Sequence, residues 1–103
     1  MPCAYIIFSP ALNKFYIGAS SENATQRLEK HNLASYGSHF TSAANDWQLK
    51  LEIPCASFSL ARKIELYIKK MKSRKFIEKL IASPDEVQIL IDKCSATDSP
   101  VLS

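Results

Sequence analysis

"CAYIIFSPALNKFYIGAS", Cys3 to Ser20, is the stretch whose reading decides the fold. Its middle, "SPALNK", carries Ser9, Pro10 and Asn13, residues that favour turns through their side-chain hydrogen bonds and restricted φ. The flanking runs, "CAYIIFS" and "NKFYIGAS", alternate with a period of two, as half-buried strands do. Tyr5 and Ile7 point one way, and Ala4, Ile6 and Phe8 the other. In the second arm Tyr16 and Gly18 share a face opposite Phe15, Ile17 and Ala19. A hairpin register centred on the turn sets Tyr5 nearly across from Tyr16, within the ~5 Å spacing of cross-strand neighbours.

Outward from the hairpin, "SSENATQRLEKHN" reads as a short helix capped by Ser21 or Asn23, with Ala24 and Leu28 on its buried line. Arg27 and His31, four residues apart, project from one face beside that line. "LASYGSHFTSAAND" reads as a loop. "WQLKLEI" then alternates Trp47, Leu49, Leu51 and Ile53 against Gln48, Lys50 and Glu52, a strand ended by Pro54. From Ser59 the period becomes 3.6, with Leu60, Ala61, Ile64, Ile68 and Met71 as an apolar stripe and Glu65 on its border. Ser73 caps a further helix. "SPDE" begins a last one, with Ser83 as cap, Pro84 at the first helical position and Glu86 three residues after the cap, and with Val87, Leu90 and Ile91 turned inward. The order β-β-α-β-α-α-α predicts an α+β fold, a small antiparallel three-stranded sheet flanked by helices. The expectation is one domain over 1–93 and a loose polar C-terminal tail over 94–103.

At 103 residues, 47% hydrophobic and 22% charged, the composition is that of an ordinary globular protein with one core. No apolar run approaches the ~20 residues of a membrane span, and nothing at the N-terminus has the pattern of an export signal, so the expected location is the cytoplasm. Cys3, Cys55 and Cys94 are far apart and lack C-x-x-C spacing, which argues for buried or free thiols over a disulfide framework or a zinc site. The net charge of +3 is unevenly spread. Arg62, Lys63, Lys69, Lys70, Lys72, Arg74, Lys75 and Lys79 stand against Glu65 and Glu78 alone, which makes either a solvated helix face or a phosphate-binding patch.

A hairpin with "AYI" and "YIG", an arginine after the glycine, a histidine one helical turn later, a third strand and a helix carrying a glutamate together resemble the GIY-YIG nuclease domain. The resemblance runs from about Cys3 to Ile81. "RLEKHN" and "IELYIKKMKSRKFIEKLI" are similar to stretches in the small stand-alone bacterial members. One departure is plain: Ala4 stands where the family's motif has its first glycine, while the motif tyrosine is kept as Tyr5.

The resemblance implies a metal-dependent endonuclease that hydrolyses phosphodiester bonds with Mg²⁺ or Mn²⁺. Such chemistry needs a cation on the phosphate, a base for the attacking water and positive charge facing the transition state. Glu65 matches the family's metal-binding glutamate. One carboxylate suffices for a hard ion that keeps waters and takes phosphate oxygens. The alternative is that Glu65 only pairs with Lys69 or Arg62 along its helix. Tyr5 and Tyr16 match the motif tyrosines, either of which would position and deprotonate the water. A phenol, with an ordinary pKa of about 10, needs a nearby cation for that work. Arg27 matches the catalytic arginine, whose fork suits phosphate oxygens. His31 matches a position often histidine in the small members. Gly18 leaves a gap for a phosphate or an arginine side chain to approach the backbone. Lys69, Lys70, Lys72, Arg74 and Lys75 complete the expected substrate-binding set.

Nucleic acid is the expected partner, DNA before RNA, since phosphate chemistry does not separate the sugars. With no separate reading head, recognition by structure or single-strandedness, or through a protein partner, is expected over sequence specificity. The rival function is a non-catalytic nucleic-acid-binding module, which would bind equally well in chelator and cut nothing.

Overall fold

In the computed structural model, residues 1–32 and 46–98 are described. The loop expected over 33–46 lies almost wholly outside them. The elements are β1 (Cys3–Ser9), β2 (Lys14–Ser20), α1 (Ala24–Asn32), β3 (Gln48–Pro54), α2 (Phe58–Met71), α3 (Arg74–Ala82) and α4 (Pro84–Asp98). They form an antiparallel sheet in the order β2-β1-β3, flanked by helices, in the β-β-α-β-α-α-α sequence expected.

The alternation of the hairpin becomes two packed faces. Ala4, Ile6, Ile17 and Ile53 face α2, α3 and α4, where they meet Ile64, Ile68, Leu80 and Leu90. On the other face Cys3, Tyr5 and Ile7 pack with Ala24 and Leu28 of α1 and with Trp47, Tyr16 and Leu49. β1 is central and covered on both sides, which is why it reads as a nearly continuous apolar run.

The hairpin register differs from the expected one by two residues. Tyr5 pairs with Gly18, and Tyr16 with Ile7, so the tyrosines are diagonal neighbours on one face. The turn accounts for this. Asn13 adopts a left-handed φ of 53°, and Ser9 Oγ accepts from the Leu12 amide while donating to Asp46, so the loop closes between Ser9 and Lys14. Asp46 also accepts from the Ala11 amide; the Ser9 hydroxyl and that amide hold its carboxyl below the ordinary range.

β3 holds the larger difference. Trp47, just before it, and its residues Leu49, Leu51 and Ile53 were expected on one face. Ile6 pairs with Leu51 but Ile7 pairs with Leu49, leaving Lys50 as an extra residue in a β-bulge. One inserted residue shifts the pleat by one, so side chains beyond it change face. Leu51 and Ile53 therefore join the α2–α4 side, while Leu49 and Trp47 join the α1 side.

Serines set the helix starts. Ser57, two residues before the expected start, accepts from the Leu60 amide at 3.1 Å; Ser73 accepts from Phe76 at 3.1 Å and Ser83 from Glu86 at 3.4 Å. Asn23, of the two candidates, caps α1 through the Gln26 amide at 2.9 Å. Met71, expected in the apolar stripe, is 45% exposed, because the stripe rotates out of the core by the last turn. α4 continues past residue 93 to Asp98, and Cys94 is buried in the core, so the first part of the expected tail is helical. The cysteines are free and buried.

Candidate active site

The site begins where Tyr5 meets Gly18. A Cβ on Gly18 would stand 2.4 Å from Tyr5 Cζ and 2.4 Å from its hydroxyl oxygen. The gap left by glycine is therefore filled by the Tyr5 ring, where the sequence had suggested a phosphate or an arginine. Tyr5 is 1% exposed. Tyr16, one diagonal step away, is half-buried, its ring edge-on to Trp47 at 6.3 Å between centroids.

Tyr16 also meets the other side of the sheet. β2 is an edge strand, and α2 packs against it. Lys69 Nζ of α2 lies 5.6 Å from the Tyr16 ring centroid and 2.8 Å from Glu65 Oε2. The other carboxylate oxygen of Glu65 accepts from Arg62 at 2.6 Å. Glu65 is 5% exposed, in a helix whose other buried residues are Leu60, Ala61, Ile64 and Ile68. Arg62 and Lys69, by contrast, are about half exposed at 51% and 43%. A buried carboxylate is thus held by two cations that reach solvent. The pairing along the helix that the sequence offered as the alternative for Glu65 is present on both sides.

α1 brings Arg27 to the tyrosine face. Ala24 and Leu28 seat the helix on Tyr5 and Cys3, and Glu52 Oε2 of β3 accepts from the Ala24 amide at 3.0 Å, placing a negative charge at the helix N-terminus. Arg27 is half-buried, with its Nε fully enclosed and not hydrogen-bonded, although the residue has other interactions. His31 falls in the last turn of α1; its side chain is outside the described residues. Asn32 does more than end the helix. Its amide group donates to Trp47 O at 3.0 Å and accepts from Trp47 N at 2.7 Å, tying α1 to the start of β3.

The basic residues separate into two sets. Lys69 and Lys70 end α2, Lys72 caps it, and Arg74 and Lys75 open α3. Arg74 is occupied within the fold: it donates to Asn13 O and Oδ1 at 3.1 and 3.0 Å and lies over Phe15 and Phe8 at 5.1 and 5.7 Å. Residues not foreseen for the site are Trp47, which abuts Tyr16, and Asn32. Trp47 stood out only as a strand residue, and the bulge that turns it to this face left no mark in the sequence. Burial pushes all three thiols up, Cys3 to about 11 with help from the Glu52 carboxylate, so they stay protonated at neutral pH and supply no thiolate.

A family model described as the GIY-YIG catalytic domain matches residues 1–79, from β1 into α3. The chain belongs to the GIY-YIG family. Membership brings a nuclease fold and makes nucleic acid the substrate class. Neither the curated proteins nor the solved structures give a significant match. No described helix is long and apolar enough to cross a membrane.

The donor set bears on which ion such a site could hold. Among the described residues there is no group of three or more His, Cys, Asp or Glu that could ligate together. Those described residues therefore form no tetrahedral zinc site, which draws most of its ligands from the protein. A hard cation that keeps waters and takes substrate phosphate oxygens needs only one protein carboxylate, and Glu65 offers one.

Proposed function

We propose that the protein is a metal-dependent endonuclease hydrolysing phosphodiester bonds in DNA, directed by structure or by single-strandedness. The observation that carries the reading is Glu65. Burying a carboxylate costs several kcal/mol of desolvation, on the order of what its ion pairs return, and an apolar residue would serve stability as well. Its position beside Tyr16, through Lys69, gives it another use.

In this reading Glu65 holds Mg²⁺ or Mn²⁺, and Arg62 and Lys69, being half exposed, turn toward phosphate when the carboxylate is engaged. The ion, when bound, polarises the phosphate and lowers the pKa of water. Tyr16 is the better candidate for water positioning, since it is half-buried beside a lysine whereas Tyr5 is enclosed against Gly18. Tyr5 then orients its neighbour across the hairpin. Arg27 faces the charge that grows in the transition state, and His31 follows four residues later in the same helix. Lys70 and Lys75 add to the positive field. A protein partner would supply any specificity beyond structure.

The test is a cleavage panel of labelled single-stranded, duplex, flap and branched DNA, with RNA alongside, in Mg²⁺, Mn²⁺ or EDTA. Glu65→Gln should reduce cleavage by about 10³-fold or more while melting temperature and DNA affinity stay close to wild type. Cutting by Glu65→Gln at the wild-type rate would overturn the assignment. Binding without cutting in every arm would favour the non-catalytic module.

A further inference from the structure

Between the β2 edge and the α2–α3 junction runs an open groove of about 430 Å³, within the size range of ligand-binding clefts. Phe15, Ile68 and Ile77 contribute its apolar surface, and Lys14, Lys69 and Lys72 stand along it. Tyr16 lies in its wall, so the groove is continuous with the proposed catalytic site.

One rim residue has an unusual backbone. Lys72, the C-cap of α2, sits in the left-handed region at φ 49°, ψ 41°, with its amide donating to Lys69 O at 3.2 Å. Glycine is the ordinary occupant of such a cap, because it has no Cβ to strain. A lysine there gives up backbone ease and gains a charged side chain at the groove, and that side chain makes no ion pair among the described residues.

We propose that this groove takes one unpaired DNA strand leading from the scissile phosphate, its phosphates on Lys72, Lys69 and Lys14 and a base against the apolar floor. The proposal rests on the nuclease reading and specifies its substrate. Charge complementarity selects a polyanion. The apolar floor selects an unpaired strand, because a duplex hides its base faces in stacking whereas a single strand can lay one against protein. Lys70 and Lys75 do not line the groove and contribute only to the general field.

The experiment measures binding by fluorescence anisotropy in EDTA, separately from cleavage in Mg²⁺. Lys72→Gly should keep or raise the melting temperature, yet weaken binding of a single-stranded oligonucleotide roughly fivefold to tenfold at about 50 mM salt and lower the log–log salt slope by about 0.7. Lys72→Gln should weaken binding similarly and serves if the glycine variant misfolds. Blunt duplex affinity should change less. An oligonucleotide with abasic sites should bind wild type roughly tenfold more weakly than its intact counterpart. Unchanged single-strand affinity in both Lys72 variants, equal losses on duplex and single strand, or no discrimination against abasic sites would overturn the proposal. Wild-type cutting with any of those results would leave the nuclease reading standing; the expected binding pattern without cutting would remove that reading and keep the groove as a single-strand site.

Discussion

The two faces of the sheet are built for different ends. The α2–α4 face is covered by three helices and lined by Ala4, Ile6, Ile17, Ile53, Ile64, Ile68, Leu80 and Leu90. Among the described residues, the α1 face has one nine-residue helix above it and contains Tyr5, Tyr16, Trp47 and Cys3. Branched aliphatic side chains give dense packing with no polar atom to satisfy. Phenols and an indole bring polar atoms to this face, with Tyr16 half-buried and Tyr5 and Trp47 enclosed. The comparison teaches that aliphatic packing is concentrated on one side of β1 and the motif tyrosines on the other, and that at the β2 edge Lys69 of α2, paired with Glu65, reaches Tyr16.

The sharpest way to break this division is to cut into the aliphatic face. Ile64 is fully buried, and Ile64→Ala should cost about 2–5 kcal/mol by chemical denaturation. A loss below about 1 kcal/mol would mean that the three-helix side is not the main source of stability. On the tyrosine face, Gly18→Ala forces a Cβ into the Tyr5 ring, which must shift or push the strands apart, at about 1–3 kcal/mol. Its distinguishing mark is a fall in cleavage rate larger than that of Ile64→Ala measured under conditions where both remain folded. If Gly18→Ala melts and cuts like wild type, the close fit of Tyr5 has no consequence for the site.

Arg74 sharpens the comparison at the groove. Its hydrogen bonds to Asn13 and its position over Phe15 predict that Arg74→Ala lowers stability by roughly 1 kcal/mol, discounted for its exposure, whereas Lys75→Ala should stay within about 0.5 kcal/mol. Equal melting temperatures would return Arg74 to the purely substrate-facing set. A small effect is also expected for an unusual change, deletion of Lys50. Because that residue is the bulge, its removal lets Leu51 and Leu49 pair with Ile6 and Ile7 in regular alternation, with every apolar side chain on its present face. The fold should survive at a cost of about 1 kcal/mol or less, with Trp47 fluorescence still that of a buried indole. Unfolding would show that the bend itself is needed to seat α1.

Much of the fold was legible in the chain because local physics determines it. Alternation in Cys3–Ser9 and Lys14–Ser20 separates two faces whatever lies above them, and Ser73, Ser83 and Asn23 cap helices through amides three residues away. The candidate site was legible as residue types in order, Tyr5, Tyr16, Arg27 and Glu65, together with the family they resemble. What the sequence determined by itself is therefore the order and type of the elements, the caps of α3 and α4 and the chemistry the chain can carry.

Only the tertiary structure decided which groups meet. The hairpin register depends on a left-handed Asn13 and on Asp46, 37 residues beyond Ser9, and the bulge at Lys50 is a compromise between two packed faces with no local signature. Those two long-range choices put Tyr5 in the space of Gly18 and carry Trp47 to Tyr16. The seating of α2 on the β2 edge brings Lys69 over Tyr16 while Glu65 is drawn into the interior. Such contacts join residues tens of positions apart, and their free energy comes from surfaces that exist only once the sheet and helices have packed.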